Sequence, residues 1–175
     1  MSAPLLQIGP LTIPALARVD QLSQSYEPIG GQSIFRAATG RGINQLTWQL
    51  TRIVTSGAGW IPAGLQALDY TKHMILRCIV PMSLNLPPAT LTGTLPAQRR
   101  ADHAPWAQAV MPGGGLVGVP MTIAGDEATL GAPVDGALGY RISWLPEFSV
   151  IALRPKQVGD PNSAMFSWEL VCEEE

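Results

Sequence analysis

Charge is scarce in this chain of 175 residues, where charged side chains make up only 14% of the total. Lys72 and Lys156 are the only lysines, and the formal net charge is −2. A chain with no basic field has nothing with which to hold a nucleic-acid backbone, so no specific nucleic-acid partner is expected. Long apolar runs are also missing. None approaches the roughly 20 residues needed to cross a bilayer, which argues against membrane insertion. The N-terminus MSAPLLQIGPLTIPALARVD has no basic leader and is broken by Pro4, Pro10 and Pro14, so it reads as neither signal peptide nor anchor. Cytoplasmic synthesis is the expectation that follows. Cysteine is nearly absent: Cys78 and Cys172 lie in the apolar runs MILRCIV and MFSWELVC, where a thiol behaves as a small buried hydrophobe. Two cysteines make no disulfide framework, and the sequence leaves open whether they pair.

Histidine is equally sparse, with His73 and His103 alone. His73 and Cys78 are an odd number of residues apart and point to opposite faces of any strand between them. No paired ligand spacing supports zinc. There is no G-x-S-x-G elbow. Gly30-Gly31-Gln32 matches the tripeptide with which peptide-release factors hydrolyse peptidyl-tRNA, but the basic body that must carry it is missing. A turn before a strand at Ser33 explains the glycines. Gly40-Arg41-Gly42 lacks the G-K-[ST] ending of a phosphate loop. Glu27, Asp69, Asp102, Asp126, Glu127, Asp135 and Glu147 read as turn or loop residues, and nothing selects a catalytic pair among them. The chain is therefore read as a non-enzyme, with no catalytic, cofactor-binding or metal-binding residue and no cofactor. The acidic end Glu173 to Glu175 reads as a solvated terminus.

What is plentiful is apolar residue, 46% of the chain, with 18 glycines and 16 prolines. Strand signals outnumber helix signals. Leu46, Trp48 and Leu50 alternate with Thr47, Gln49 and Thr51, the period of a strand with one wet face. The phase slips at Ile53, as a β-bulge or a strand covered on both faces would require. SIFRAA is the natural hairpin partner, through residues 39–44. Pro62 followed by AGLQALD reads as one short helix, and Met74 to Val80 as a strand buried on both faces. Val117 to Ile123 reads as a strand demoted by Pro120. Tyr140 to Trp144 and Phe148 to Leu153 read as a second hairpin, and Phe166, Trp168, Leu170 and Cys172 line one face of a last strand. Residues 82–115, rich in proline and glycine, read as a long arm that packs on a neighbour. The expected fold is all-β: one domain over 1–175, a β-sandwich or barrel of about eight to nine strands with one short helix and that arm.

The stretch Tyr26 to Tyr70 carries YEPIGG, then Gln, Ser and an apolar residue, a G-x-G strand pair with Gln and Trp, and SGAGWIPAGLQALDY. Through these strings, the Arg-Arg-Ala-Asp segment at 99–102 and the ending Phe166 to Glu169, the chain resembles small β-rich proteins of the tailed-bacteriophage tail tip or baseplate. That resemblance implies a virion structural protein made in the host cytoplasm, forming a ring of three or six copies between the tail tube above and hub or baseplate proteins below. A host-surface carbohydrate-binding module is the alternative, and a cell-wall hydrolase comes third. Trp48, Trp144 and Trp168 are in phase with apolar faces and read as core. Trp60 and Trp106 lie in irregular stretches, and with Arg41, Arg99 and Arg100 they are the candidate interface residues, since Trp and Arg anchor interfaces.

Overall fold

The computed structural model describes residues 4–19, 21–160, 162 and 164–175. It is all-β, with fifteen strands and two short 3-10 turns among the described residues. In chain order the strands are β1 (Gln7–Ile8), β2 (Leu11–Thr12), β3 (Gln21–Arg36), β4 (Gly42–Gly59), β5 (Met74–Arg77), β6 (Met82–Leu86), β7 (Thr92–Thr94) and β8 (Trp106–Val110). They continue as β9 (Leu116–Val119), β10 (Met121–Ala124), β11 (Glu127–Leu130), β12 (Gly139–Trp144), β13 (Glu147–Ala152), β14 (Lys156–Asp160) and β15 (Met165–Glu174). The chain divides into two compact units, one formed by Leu5–Leu76 with Ser149–Glu175, the other chiefly by Arg77–Phe148. Where one domain was expected, the second unit is inserted into the first.

The two-segment unit is built on a sheet of order β2-β1-β5-β13-β15-β4-β3, with β14 also on β15. β15 is central because Trp168, Leu170 and Cys172 alternate inward with polar or partly exposed neighbours, giving one apolar face to bury. Its core includes Leu6, Ile8, Ile13, Ile53, Leu65, Leu76 and Val150. The Trp168 indole donates to the Ala17 carbonyl at 2.9 Å, and a Cβ at Gly57 would stand 2.5 Å from its ring. Glycine there is what lets the tryptophan lie flat on β4. The helix expected at AGLQALD is a single 3-10 turn at Leu65–Ala67, led by Gly64 at φ +77. β5 is buried on one face only, with Ile75 outward.

The inserted unit packs a four-stranded sheet, β6-β12-β8-β9, against a three-stranded one, β10-β11-β7. Between them lie Leu95, Ala107, Ala109, Val119, Ala128, Leu130, Tyr140, Ile142 and Trp144. Residues 82–115 are thus not an arm. They carry β6, β7 and β8 and supply three of those core residues, because proline punctuates short strands here instead of marking a loop. Pro120 separates β9 from β10. The second hairpin also fails: β12 pairs with β6 and β8, whereas β13 pairs with β15. Cys78 and Cys172 are buried thiols, and Trp144 and Trp168 are core.

Candidate interaction surface

The hairpin of β3 and β4 outgrows the sheet that supports it. β15 pairs with β4 from Gly59 to Arg52 and stops there, while β3 and β4 stay paired out to Arg36 and Gly42. The nine residues from Leu50 to Gly42 therefore extend by about 30 Å as a two-stranded ribbon, at roughly 3.3 Å per residue. Burial alternates along β4 from Ile53 inward, and everything from Gly42 to Gln49 is exposed. Trp48, expected in the core, is 51% exposed. The alternation around it is real, but it describes a strand with no layer of its own chain beneath.

The phase slip read at Ile53 is not a bulge: β4 is paired without a break from Gln49 to Ala58, and Ile53 is buried on the face opposite Leu50 and Trp48. A bulge does occur further out. Gly30 pairs with Gln49 and Gln32 with Leu46, so the single Gly31 faces both Thr47 and Trp48. A Cβ on Gly31 would collide with the Thr47 hydroxyl and lie 2.9 Å from the Trp48 indole nitrogen. The Thr47 hydroxyl also donates to the Gly31 carbonyl at 2.7 Å. Gly30 and Gly31 thus sit inside a strand, not in a turn. The bulge moves Leu46 to the opposite face from Trp48. One ribbon face then carries Ile29, Leu50, Trp48, Phe35 and Ile43, and the other carries Leu46 and Ile34. Ile34, Phe35, Ile43, Leu46 and Trp48 are each 51–69% exposed. Sequence reading missed these five as surface groups; the paired glycines and the broken alternation were the available signals.

The ribbon's edges are as bare as its faces. β3 ends the sheet and has no strand partner on its outer edge among the described residues. At the base of β4 the C-terminus closes the other edge: Glu174 accepts the Thr51 N–H at 2.9 Å, and Arg52 pairs with Glu173 at 2.8 Å. Glu175 meets His73 at 2.9 Å and accepts from the Ser149 hydroxyl at 3.0 Å. The acidic end is therefore engaged with the sheet instead of being a solvated tail. Beyond Thr51, β4 has β3 as its only strand partner among the described residues. A long, weakly charged edge is a template for pairing with another chain.

The residues expected to anchor an interface are placed unevenly. Arg41 is exposed in the loop that closes the ribbon, where the Ala37 N–H bonds the Arg41 carbonyl at 3.0 Å. Trp60 is 60% exposed just past β4. Trp106, at the head of β8, is 38% exposed. Arg99 holds the turn after β10, bonding Asp126 at 2.8 Å and the Gly125 carbonyl at 2.6 Å. Arg100 is a correction: at 2% exposed it offers no surface. Its guanidinium grips both Asp102 oxygens, at 2.9 and 2.7 Å, and the Cys78 carbonyl at 2.9 Å. The Arg100 bond, with His103 beside it, holds the Asp102 carboxyl well below the usual carboxylate range.

Other charged groups serve local structure. Asp69 accepts from the Thr71 hydroxyl and N–H and meets Lys72, which lowers its pKa to about 2. Arg77 pairs with Glu147 at 2.7 Å. Among the described residues no three His, Cys, Asp or Glu side chains come together as a metal site, and no helix is long and apolar enough to cross a membrane. In comparisons with known proteins, no family profile, curated protein or solved structure matches this chain.

Proposed function

We propose that this chain is a structural subunit of a bacteriophage tail, assembling as a ring of three or six copies at the tail tip or baseplate, where it joins the tail tube to the hub. The motif resemblance supplies the class. The single observation that carries an assembly role is the ribbon, apolar on both faces and open along β3 and the outer half of β4. Fully burying such side chains is worth about 1.5–3 kcal/mol apiece, and the ribbon has no layer of its own unit to supply that burial. The edge of β3 on one copy and the outer edge of β4 on the next are different surfaces, so their contact is head-to-tail, and head-to-tail contacts either close into rings or run on as filaments. The scarcity of charge elsewhere suits a subunit enclosed by neighbours. The test is a density map of the assembled particle. A closed ring with residues 29–50 buried between copies is expected; a single copy with the ribbon in solvent would refute it.

A further inference from the structure

The four-stranded sheet of the inserted unit has a second face outside that core, covered at Ser143, half-buried at Gln108 and Arg141 and exposed at Asn85. Ala107, Ala109, Tyr140, Ile142 and Trp144 point into the core, so their neighbours on β8 and β12 point away from it. Register sets these neighbours in two cross-strand rows. Asn85, Arg141 and Gln108 form one, and Ser83, Ser143 and Trp106 form the next. Trp106 stands two residues, about 7 Å, along β8 from Gln108. Beside the first row is a depression of about 320 Å³, lined in part by Asn85, Arg141, Gly139, Val110 and Leu138, at the lower end of small-molecule sites. A Cβ at Gly139 would lie 2.8 Å from the Leu86 carbonyl oxygen, so glycine is needed where strand and floor meet.

The polar groups here are not spent on the fold. Among the described residues the side chains of Asn85, Gln108 and Arg141 make no hydrogen bond or ion pair. The two rows contain no carboxylate, and Arg141 is their one charge. Two amides and a guanidinium in a line offer donors and acceptors in pairs, which match the vicinal hydroxyls of a sugar. An indole offers a flat apolar face to the C–H side of a pyranose while keeping a polar edge. A single unpaired guanidinium is the bidentate partner for one carboxylate. One positive charge is too little to hold a nucleic-acid backbone.

We propose that this face binds an acidic saccharide, with a sugar ring stacked on Trp106, hydroxyls on Asn85 and Gln108, and the carboxylate on Arg141. The site lies wholly within the inserted unit and does not depend on the ribbon or on ring formation. The test is an array of uronic-acid, sialylated and neutral glycans probed with the full chain, followed by calorimetric titration with oligogalacturonate and its neutral methyl ester. Retention of acidic glycans is expected, with the ester weaker by about tenfold or more, as loss of one charge-assisted pair implies. Arg141→Gln should erase that preference and Trp106→Ala should abolish binding. Asn85→Ala, at an exposed position, should weaken binding without disturbing packing, and keeps the test valid if Trp106→Ala misfolds. No acidic glycan retained, or affinity unmoved by Arg141→Gln and Asn85→Ala, overturns the proposal. So does a Trp106→Ala protein that changes only its oligomeric state, which would make the face a protein interface.

Discussion

Replacing Ile34, Phe35 and Ile43 together by serine separates folding from assembly. These side chains are 69%, 55% and 53% exposed in the isolated chain, so less than half of each contributes to the fold. Taking about 1.5–3 kcal/mol for complete burial of such a group, the share already hidden is worth roughly 1 kcal/mol or less at each site. The exposed share, if covered by a neighbour, is worth roughly 1–2 kcal/mol each, or 3–5 kcal/mol per contact. That is about two to four orders of magnitude in association. Urea unfolding of the purified variant should show an almost unchanged slope and a modest shift in midpoint. Incorporation into tails, counted in particles assembled with the variant chain, should collapse. The reasoning is refuted if the variant loses fold stability like a core mutant while still assembling, because the ribbon would then be packed on its own unit.

Gly31→Val should cost roughly 1–3 kcal/mol, since its new carbons meet Thr47 and Trp48 across the bulge; thermal melts would show it, and an unchanged melting temperature would remove the bulge from the argument. Arg100→Ala removes the guanidinium from the Cys78 carbonyl and from Asp102, which keeps His103 beside it, and should destabilise the inserted unit by about 1–3 kcal/mol, read by hydrogen exchange at the amides of β8 and β12. Deleting residues 96–112 removes β8 and its buried alanines, so circular dichroism should show the inserted unit unfolded. The Asp69 carboxyl should titrate near 2 by carbon-detected NMR, against an ordinary 3.8. A lowered carboxyl pKa stabilises the folded state above the unfolded value and the effect is lost as pH falls through the folded one, and Thr71→Ala should move the midpoint back up.

Elements whose signal was local were legible. Trp168, Leu170 and Cys172 repeat at period two and lie inside, and Trp144 does the same. The 39–44 hairpin loop carries Gly40 at φ +81, which its glycine content announces. The inserted unit was not legible. Its strands are three to six residues long and all but β10 and β11 are separated by proline, so each resembles a loop until the sheet order β6-β12-β8-β9 sets non-neighbouring segments side by side.

The two sets of interface residues divide the same way. Trp106 is conspicuous in the sequence because it stands in a proline-rich stretch, whereas Asn85, Gln108 and Arg141 are unremarkable until register places them in one row. By itself, the sequence determined that the protein is all-β and poor in charge, because composition and period-two alternation are properties of neighbouring residues. It did not determine which apolar faces are covered. Trp48 and Trp168 carry the same local pattern, yet one is half exposed and the other buried. The difference is that Trp168 lies against Gly57 and bonds the Ala17 carbonyl, contacts with residues more than a hundred positions away, whereas no such layer lies on Trp48 among the described residues.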